Sequence, residues 1–321
     1  MINTMQLQAV LRRAAVQATL APSLYNTQPW RILLSHDRMR LSADPDRQLP
    51  IHDPSGRQLL ISCGCALLNA RASIAADGVD VEVRRFPDGV LDGQPLAVLT
   101  PVGAEAGSAD GAELARLAKV TGERHTNRLH FDPGGPDERV MGALRKTAAH
   151  AGAGLVPLDG PEQRHLIGSL HRDAGMIVHS DAGYVAEHRA WARPAGIGVA
   201  AGASGIQLDE AWDVIDSAPR LMVLTTARDT PQAWLSAGEA LERLLLYITA
   251  EGYVAGLSSQ VTQVPVIRAR MRSVLAMDDF PQLLLQIGSA PVGVPTRRRR
   301  LVDVMSEVGS SEYGGDSGGI G

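Results

Sequence analysis

Two long stretches of this chain can be laid over one another without a gap. SCGCALLNARASIAADG (62–78) and SAGEALERLLLYITAEG (236–252) share seven identities in seventeen positions, at a constant offset of 174. The pairs are Ser62/Ser236, Gly64/Gly238, Ala66/Ala240, Leu67/Leu241, Ile74/Ile248, Ala76/Ala250 and Gly78/Gly252. Both stretches read as long helices, over about 56–76 and 231–251, and a glycine at the same point of each allows close backbone approach. Their surroundings repeat too: AVLRRAA (9–15) and GALRKTA (142–148) come before them, and PLAVLTPVG (95–103) and PQLLLQIG (281–288) come after. The simplest fold that accommodates this is two related α+β halves, residues 1–104 and 105–309, facing each other across a pseudo-twofold core.

The length of 321 residues and a hydrophobic content of 45% are enough for two such units. A net charge of −4, with acidic and basic residues interspersed, and only 4% aromatics argue against a nucleic-acid partner. No uninterrupted apolar run approaches the roughly 20 residues that cross a bilayer, and MINTMQLQAV lacks the parts of a secretory signal, so a cytoplasmic protein without a membrane partner is expected. Cys63 and Cys65 would point about 200° apart on a helix, which disfavours a disulfide or shared metal and suits buried packing. The Gly/Ser-rich end, 310–321, is expected to be disordered.

The repeat is not symmetric in its polar parts. Only the first half carries APSLYNTQPW (21–30), and only the second carries ERHTNRLHF (123–131). In the first, Pro22 and Pro29 pin a segment that offers Ser23, Asn26 and Gln28, either for local turn bonds or for a planar polar ligand. The second sets Arg124 and Arg128 around Thr126 and Asn127, either as a solvated turn before a helix or as an anion cradle. RRRR (297–300) is either a solvated run or a further phosphate contributor. GIGVAAG (196–202) has the wrong glycine spacing for a dinucleotide loop and follows no strand. The chain has no P-loop and no HExxH, and His165, His171, His179 and His188 have no metal-ligand spacing, so no metal and no catalytic acid or base is expected.

Taken together, these stretches resemble the FMN-dependent nitroreductase superfamily. APSLYNTQPW is similar to its APSxxNxQPW segment, RHTNR to its arginine-containing phosphate segment, and WLSAGEALERLLLYITAEG to its central dimer helix. The nearest pattern is the Acg family, in which two nitroreductase-like halves are fused so that a monomer imitates a dimer. That resemblance implies mixed or antiparallel sheets flanked by helices, and FMN bound between the halves. It implies that Arg124, Thr126 and Arg128 hold the phosphate, with Arg298 or Arg299 as a second contributor. Pro22, Ser23, Leu24, Asn26 and Gln28 would contact the ribityl chain and ring, and Ser258, Ser259 and Gln260 would pass near the N5 edge through their backbone.

Because each polar motif occurs once, one FMN per chain is expected. The long connection at about 175–208 would be a lid. The implied activity is reduction of nitroaromatics or quinones by NAD(P)H through the flavin, in a family associated with survival at low oxygen. The alternative is FMN storage beneath a closed lid.

Overall fold

The computed structural model describes residues 4–90, 93–103, 108–192, 213, 215–291 and 295–308. Helix α1 (Thr4–Ala18) buries Val10, Leu11, Ala14 and Ala18 on one stripe, as their spacing requires. Strands β1 (Trp30–Leu34) and β2 (Met39–Ala43), helix α2 (Arg57–Ala76), and strands β3 (Asp80–Arg85) and β4 (Pro95–Val102) follow. After helix α3 (Ala109–Ala118) come α4 (Glu138–His150), β5 (Gly154–Pro157), α5 (Pro161–Ser180), α6 (Ala182–Ala192), β6 (Arg220–Thr226) and α7 (Pro231–Ala250). Then come β7 (Val254–Ser258), α8 (Gln260–Gln263), α9 (Pro265–Val274), β8 (Phe280–Gly288) and β9 (Met305–Glu307).

The strands form two sheets, in the orders β3-β4-β2-β1-β9 and β5-β6-β8-β7. Read from its other edge the second is β7-β8-β6-β5, the same connectivity as β3-β4-β2-β1, and every pairing in those four-strand sets is antiparallel. Only β9 is parallel to its neighbour, bringing late residues beside β1. The second sheet is covered on both faces, so β6 and β8 are apolar runs. Met222, Leu224, Leu283 and Leu285 enter the main core, whereas Leu221, Val223 and Leu284 enter a second core with Leu170, Ile267 and Met271. β1 has one covered face and alternates, with Arg31 exposed between buried Trp30 and Ile32. Strand periodicity alone does not reveal β5 or β7, which have only four and five residues.

The fold is organised around the crossing of α2 and α7. Gly64 and Gly238, equivalent in the repeat, meet there. A Cβ built on either lies 2.8 Å from the other's Cα. The contact is reciprocal: the Gly64 Cβ would strike the Leu235 carbonyl and the Gly238 Cβ the Ile61 carbonyl, and Leu235 and Ile61 are themselves 174 positions apart. The helices also end alike. Gly78 (φ +72°) and Gly252 (φ +81°) adopt left-handed backbone, and the next N–H, from Val79 or Tyr253, donates to Ile74 or Ile248. That 6→1 bond is a Schellman cap, which explains the conserved spacing of isoleucine and glycine within the repeat.

By length and composition α2 could cross a membrane, contrary to the expectation from apolar run length, but it lies mostly buried at the centre of the core. Cys63 and Cys65 are buried free thiols whose Sγ atoms donate to the carbonyls of Pro29 and Gly238, both at 3.2 Å. Of the expected lid, residues 193–208 lie outside the described residues, as do GIGVAAG and the 310–321 tail.

Gly238→Ala should destabilise the protein by about 2–3 kcal/mol, because backbone on the facing helix must retreat. Gly142→Ala, in an open helical position of α4, should stabilise by about 0.5–1 kcal/mol. Urea denaturation of both variants checks the opposite signs.

Candidate functional site

Leu20 is where two distant parts of the chain converge. Its carbonyl accepts from Arg124 Nη2 (3.2 Å) and from Arg298 Nη2 (2.8 Å). These guanidinium groups form one end of a cavity of about 410 Å³, which Arg128 also lines. Burial and then Arg124 lower the pKa of Arg298 to about 10, and the same causes in the same order lower that of Arg128. Arg128 keeps exposed surface although its head group sits low among its neighbours.

One carboxylate faces this group from below. Glu242 of α7 is fully buried, lies 3.4 Å from Arg124 Nε, and has its pKa raised by burial against the pull of Arg124. Three cations against one carboxylate leave the cavity end electropositive. Among the described residues Arg298 Nε has no hydrogen-bond partner. Such an arrangement suits an anion with several acceptor oxygens.

The Arg124 segment is anchored by Asn127 N–H donating to Ala255 O (2.7 Å) and by Arg124 N–H donating to Val120 O (3.0 Å). Asn127 spends its side chain on a local turn with Leu129. His125 also lines the cavity. Burial first, then Arg124, Arg298 and Arg128, lower its pKa, and Nδ1 lies 2.9 Å from the Arg124 carbonyl.

The opposite wall is the 21–30 segment. Its backbone is strained: Tyr25, Asn26 and Gln28 have φ of +47°, +55° and +50°. Tertiary bonds hold it there. Ser23 Oγ accepts from Gln28 N–H (2.9 Å), and Asn26 Nδ2 donates to Arg297 O (2.8 Å). Gln28 Oε1 accepts from Arg299 N–H (2.7 Å). Arg299 donates to Gln28 O (3.0 Å) and to the buried Asp44 carboxylate (3.1 Å).

Of the residues expected at the site, Pro22, Ser23, Leu24, Asn26, Arg124, Thr126, Arg128, Ser259 and Arg298 line the cavity. Gln28, Ser258, Gln260 and Arg299 do not. Gln28 and Arg299 clamp the wall to the late segment instead, Ser258 ends β7, and Gln260 opens α8. Of the two neighbouring arginines, Arg298 lines the cavity, whereas Arg299 is engaged by Asp44 and by the Gln28 carbonyl.

The sequence reading missed a face of α2, Gln58, Ile61, Ser62 and Cys65, and also Tyr25, Leu241 and Thr296. The signal was present: positions 58, 61, 62 and 65 follow helical spacing, and Gln58 and Ser62 place buried polar groups on that face. Among the described residues no group of His, Cys, Asp and Glu is placed to hold a metal ion.

No family model matches the chain. It is 30% identical over 323 residues to a Mycobacterium tuberculosis H37Rv protein named "Putative NAD(P)H nitroreductase Rv3131", an alignment covering 92% of this chain and 90% of that one. It is 26% identical over 343 residues to "Putative NAD(P)H nitroreductase acg" of the same strain, covering 98% and 100%. Among solved structures, the FMN-dependent nitroreductase NfnB from Mycobacterium smegmatis, in complex with NADPH, aligns with a TM-score of 0.46 at 18% identity, covering 59% of this chain and 97% of that chain.

The two neighbouring arginines should respond unequally in cofactor-free protein. Arg299→Met, which takes one of the two ion-paired cations from buried Asp44 and leaves the pair with half-exposed Arg31, should cost about 2–3 kcal/mol. Arg298→Met, which relieves repulsion from Arg124 and Arg128, should cost less than about 1 kcal/mol. Chemical denaturation of each variant measures the difference.

Proposed function

The chain belongs to the NAD(P)H nitroreductase family that includes acg, and from that membership we propose that it is an FMN-binding oxidoreductase whose flavin site is the cavity between the 21–30 segment and Arg124–Arg128. One observation carries the cofactor assignment: Arg124, Arg128 and Arg298 converge on one cavity end with a single facing carboxylate, a charge balance that suits the phosphate of FMN. Bound there, FMN would supply hydride chemistry, accepting from NAD(P)H and passing electrons to a nitroaromatic or a quinone.

The protein residues bind and orient. Arg124, Arg298 and Arg128, with Thr126, hold the phosphate end; Pro22, Ser23, Leu24, Asn26 and Ser259 form the walls, and Ile61, Leu241, Leu257 and Leu283 keep water from the interior. Gln28 and Arg299 support the wall from behind.

The two halves are read as a fused pair, with FMN bound once per chain. The reciprocal Gly64–Gly238 crossing, the shared strand order and the matching caps support a fused pair. The symmetry-equivalent second position argues for a single flavin. At the places corresponding to Cys65 and Ser259, 174 positions away, stand Glu239 and Arg85. These two bond to each other at 2.6 Å, and Arg71 binds Glu239 at 2.7 Å, so an ion network fills that space.

A storage role has its own support. Helix α6 packs over the cavity wall: Glu187 accepts from the backbone N–H groups of Ile51 (3.2 Å) and His52 (2.8 Å), and His188 packs edge-on against Tyr25 at 5.0 Å. Anaerobic mixing with NADPH or NADH separates the readings. Bleaching of the flavin band within the time of a turnover supports the reductase, and bleaching by dithionite alone supports storage.

Arg124→Ala and Arg298→Ala should each weaken FMN binding by about tenfold to a hundredfold, read by quenching of flavin fluorescence. Unchanged affinity in both would refute the site. FMN affinity should also rise as pH falls through the ordinary histidine range, from about 7 to about 6. In the free protein burial and the arginines hold the His125 imidazole neutral; a bound phosphate offsets those arginines, raises the pKa and makes binding take up a proton. His125→Gln should flatten that profile.

A further inference from the structure

Glu242 is a charged group at the arginine end to which the flavin reading gives no role. It lies on α7 with its side chain wholly buried, and it does not line the cavity. Arg124 Nε lies 3.4 Å away. The Asn69 amide of α2 approaches it as well, and among the described residues neither of its oxygens completes a hydrogen bond. A carboxylate buried in this way costs stability, which only the field of nearby cations offsets.

The helix crossing does not call for an acid there. The equivalent position in the repeat, 174 residues earlier, is Leu68, which packs in an apolar cluster with Leu114, Leu117 and Leu246. Glu242 therefore answers to the arginines of the cavity rather than to the packing of α7. Arg298 feels it too, as the charge that opposes Arg124 and Arg128.

The charges can be counted. Arg124, Arg128 and Arg298 bring three positive charges to the cavity end, Glu242 brings one negative charge beneath them, and three less one leaves two. Two is the charge that a phosphate monoester neutralises once its second proton is lost, above a pH of about 6. Without Glu242 the remainder would be three, which suits a polyanion such as pyrophosphate. Because Glu242 shares no wall with the ligand, it acts through Arg124 and through the field, which is stronger in a buried site than in water.

We propose that Glu242 is a specificity-determining residue of this cavity, a counter-charge that sets the arginine end to one dianionic phosphate and opposes any head group of higher charge. The inference deepens the flavin reading and rests on it for the rest of the ligand, whereas the charge preference belongs to the three arginines and Glu242.

Calorimetric titration of cofactor-free protein at about pH 8 with inorganic phosphate and with pyrophosphate tests it, and FMN and riboflavin extend the test to the flavin. Wild type should bind the two inorganic anions with affinities within about threefold of each other. Glu242→Gln, which keeps the shape and removes the charge, should favour pyrophosphate by about tenfold or more. The same variant should bind FMN about tenfold more tightly and riboflavin, which has no phosphate, unchanged. Glu242→Asp, which keeps the charge, should resemble wild type in both comparisons. A larger preference for pyrophosphate in wild type overturns the proposal. So does an unchanged ratio of the two anions in Glu242→Gln, the result that a protonated or merely packing Glu242 would give, and so does an absence of binding by both anions. If Glu242→Gln does not fold, the wild-type ratio decides. If neither FMN nor riboflavin binds while the inorganic ratio shifts as stated, the flavin reading fails and the charge setting stands.

Discussion

The rest of the molecule depends on the contact between Gly64 and Gly238. Two twenty-residue helices can approach this closely only where neither has a side chain, and the closeness sets every distance around them. It brings Cys65 and Leu241 to the same cavity wall from different helices, and it merges the apolar faces of both sheets into one core. Separate the helices by one methyl group and the walls of the cavity move apart with them.

Around that contact, the two ends of the cavity are built on different physics. The arginine end accumulates like charge, with Glu242 as partial relief and the Leu20 carbonyl as a shared acceptor. The opposite wall holds residues in left-handed backbone, kept there by bonds from the 297–299 segment. Both are unfavourable locally and are sustained by the surrounding core, a pattern common where a fold is preorganised for a ligand.

Much of this was legible in the sequence because the crossing demands glycine and the caps demand glycine four residues beyond a shared isoleucine, so the matching residues lie where packing is least tolerant. The polar wall was legible for a related reason: APSLYNTQPW spends more hydrogen-bonding groups than a connection needs. What sequence could not apportion is which of those groups face inward. Gln28 and Arg299 carry the same chemistry as Asn26 and Arg298, yet they are committed to each other and to Asp44, a distinction that exists only once residues 28 and 299 are neighbours. Glu242 was passed over because a carboxylate on a helix ordinarily faces water; its burial follows from Arg124, more than a hundred positions away in the chain. Gln58 and Ser62 were hidden by the apolar residues around them, and β5 by its four-residue length.

The placement of β9 has a consequence for how the protein is made. β1 leaves the ribosome long before its parallel neighbour Met305–Glu307 and the clamps from Arg297 and Arg299. A nascent chain can therefore assemble both central helices and most of both sheets while the strained wall at Tyr25–Gln28 still lacks its support. Pairings this distant in sequence close slowly and late. Competence to take up a ligand would thus arrive with residues 297–307, so that a chain cut before them could be largely folded and still have no finished cavity.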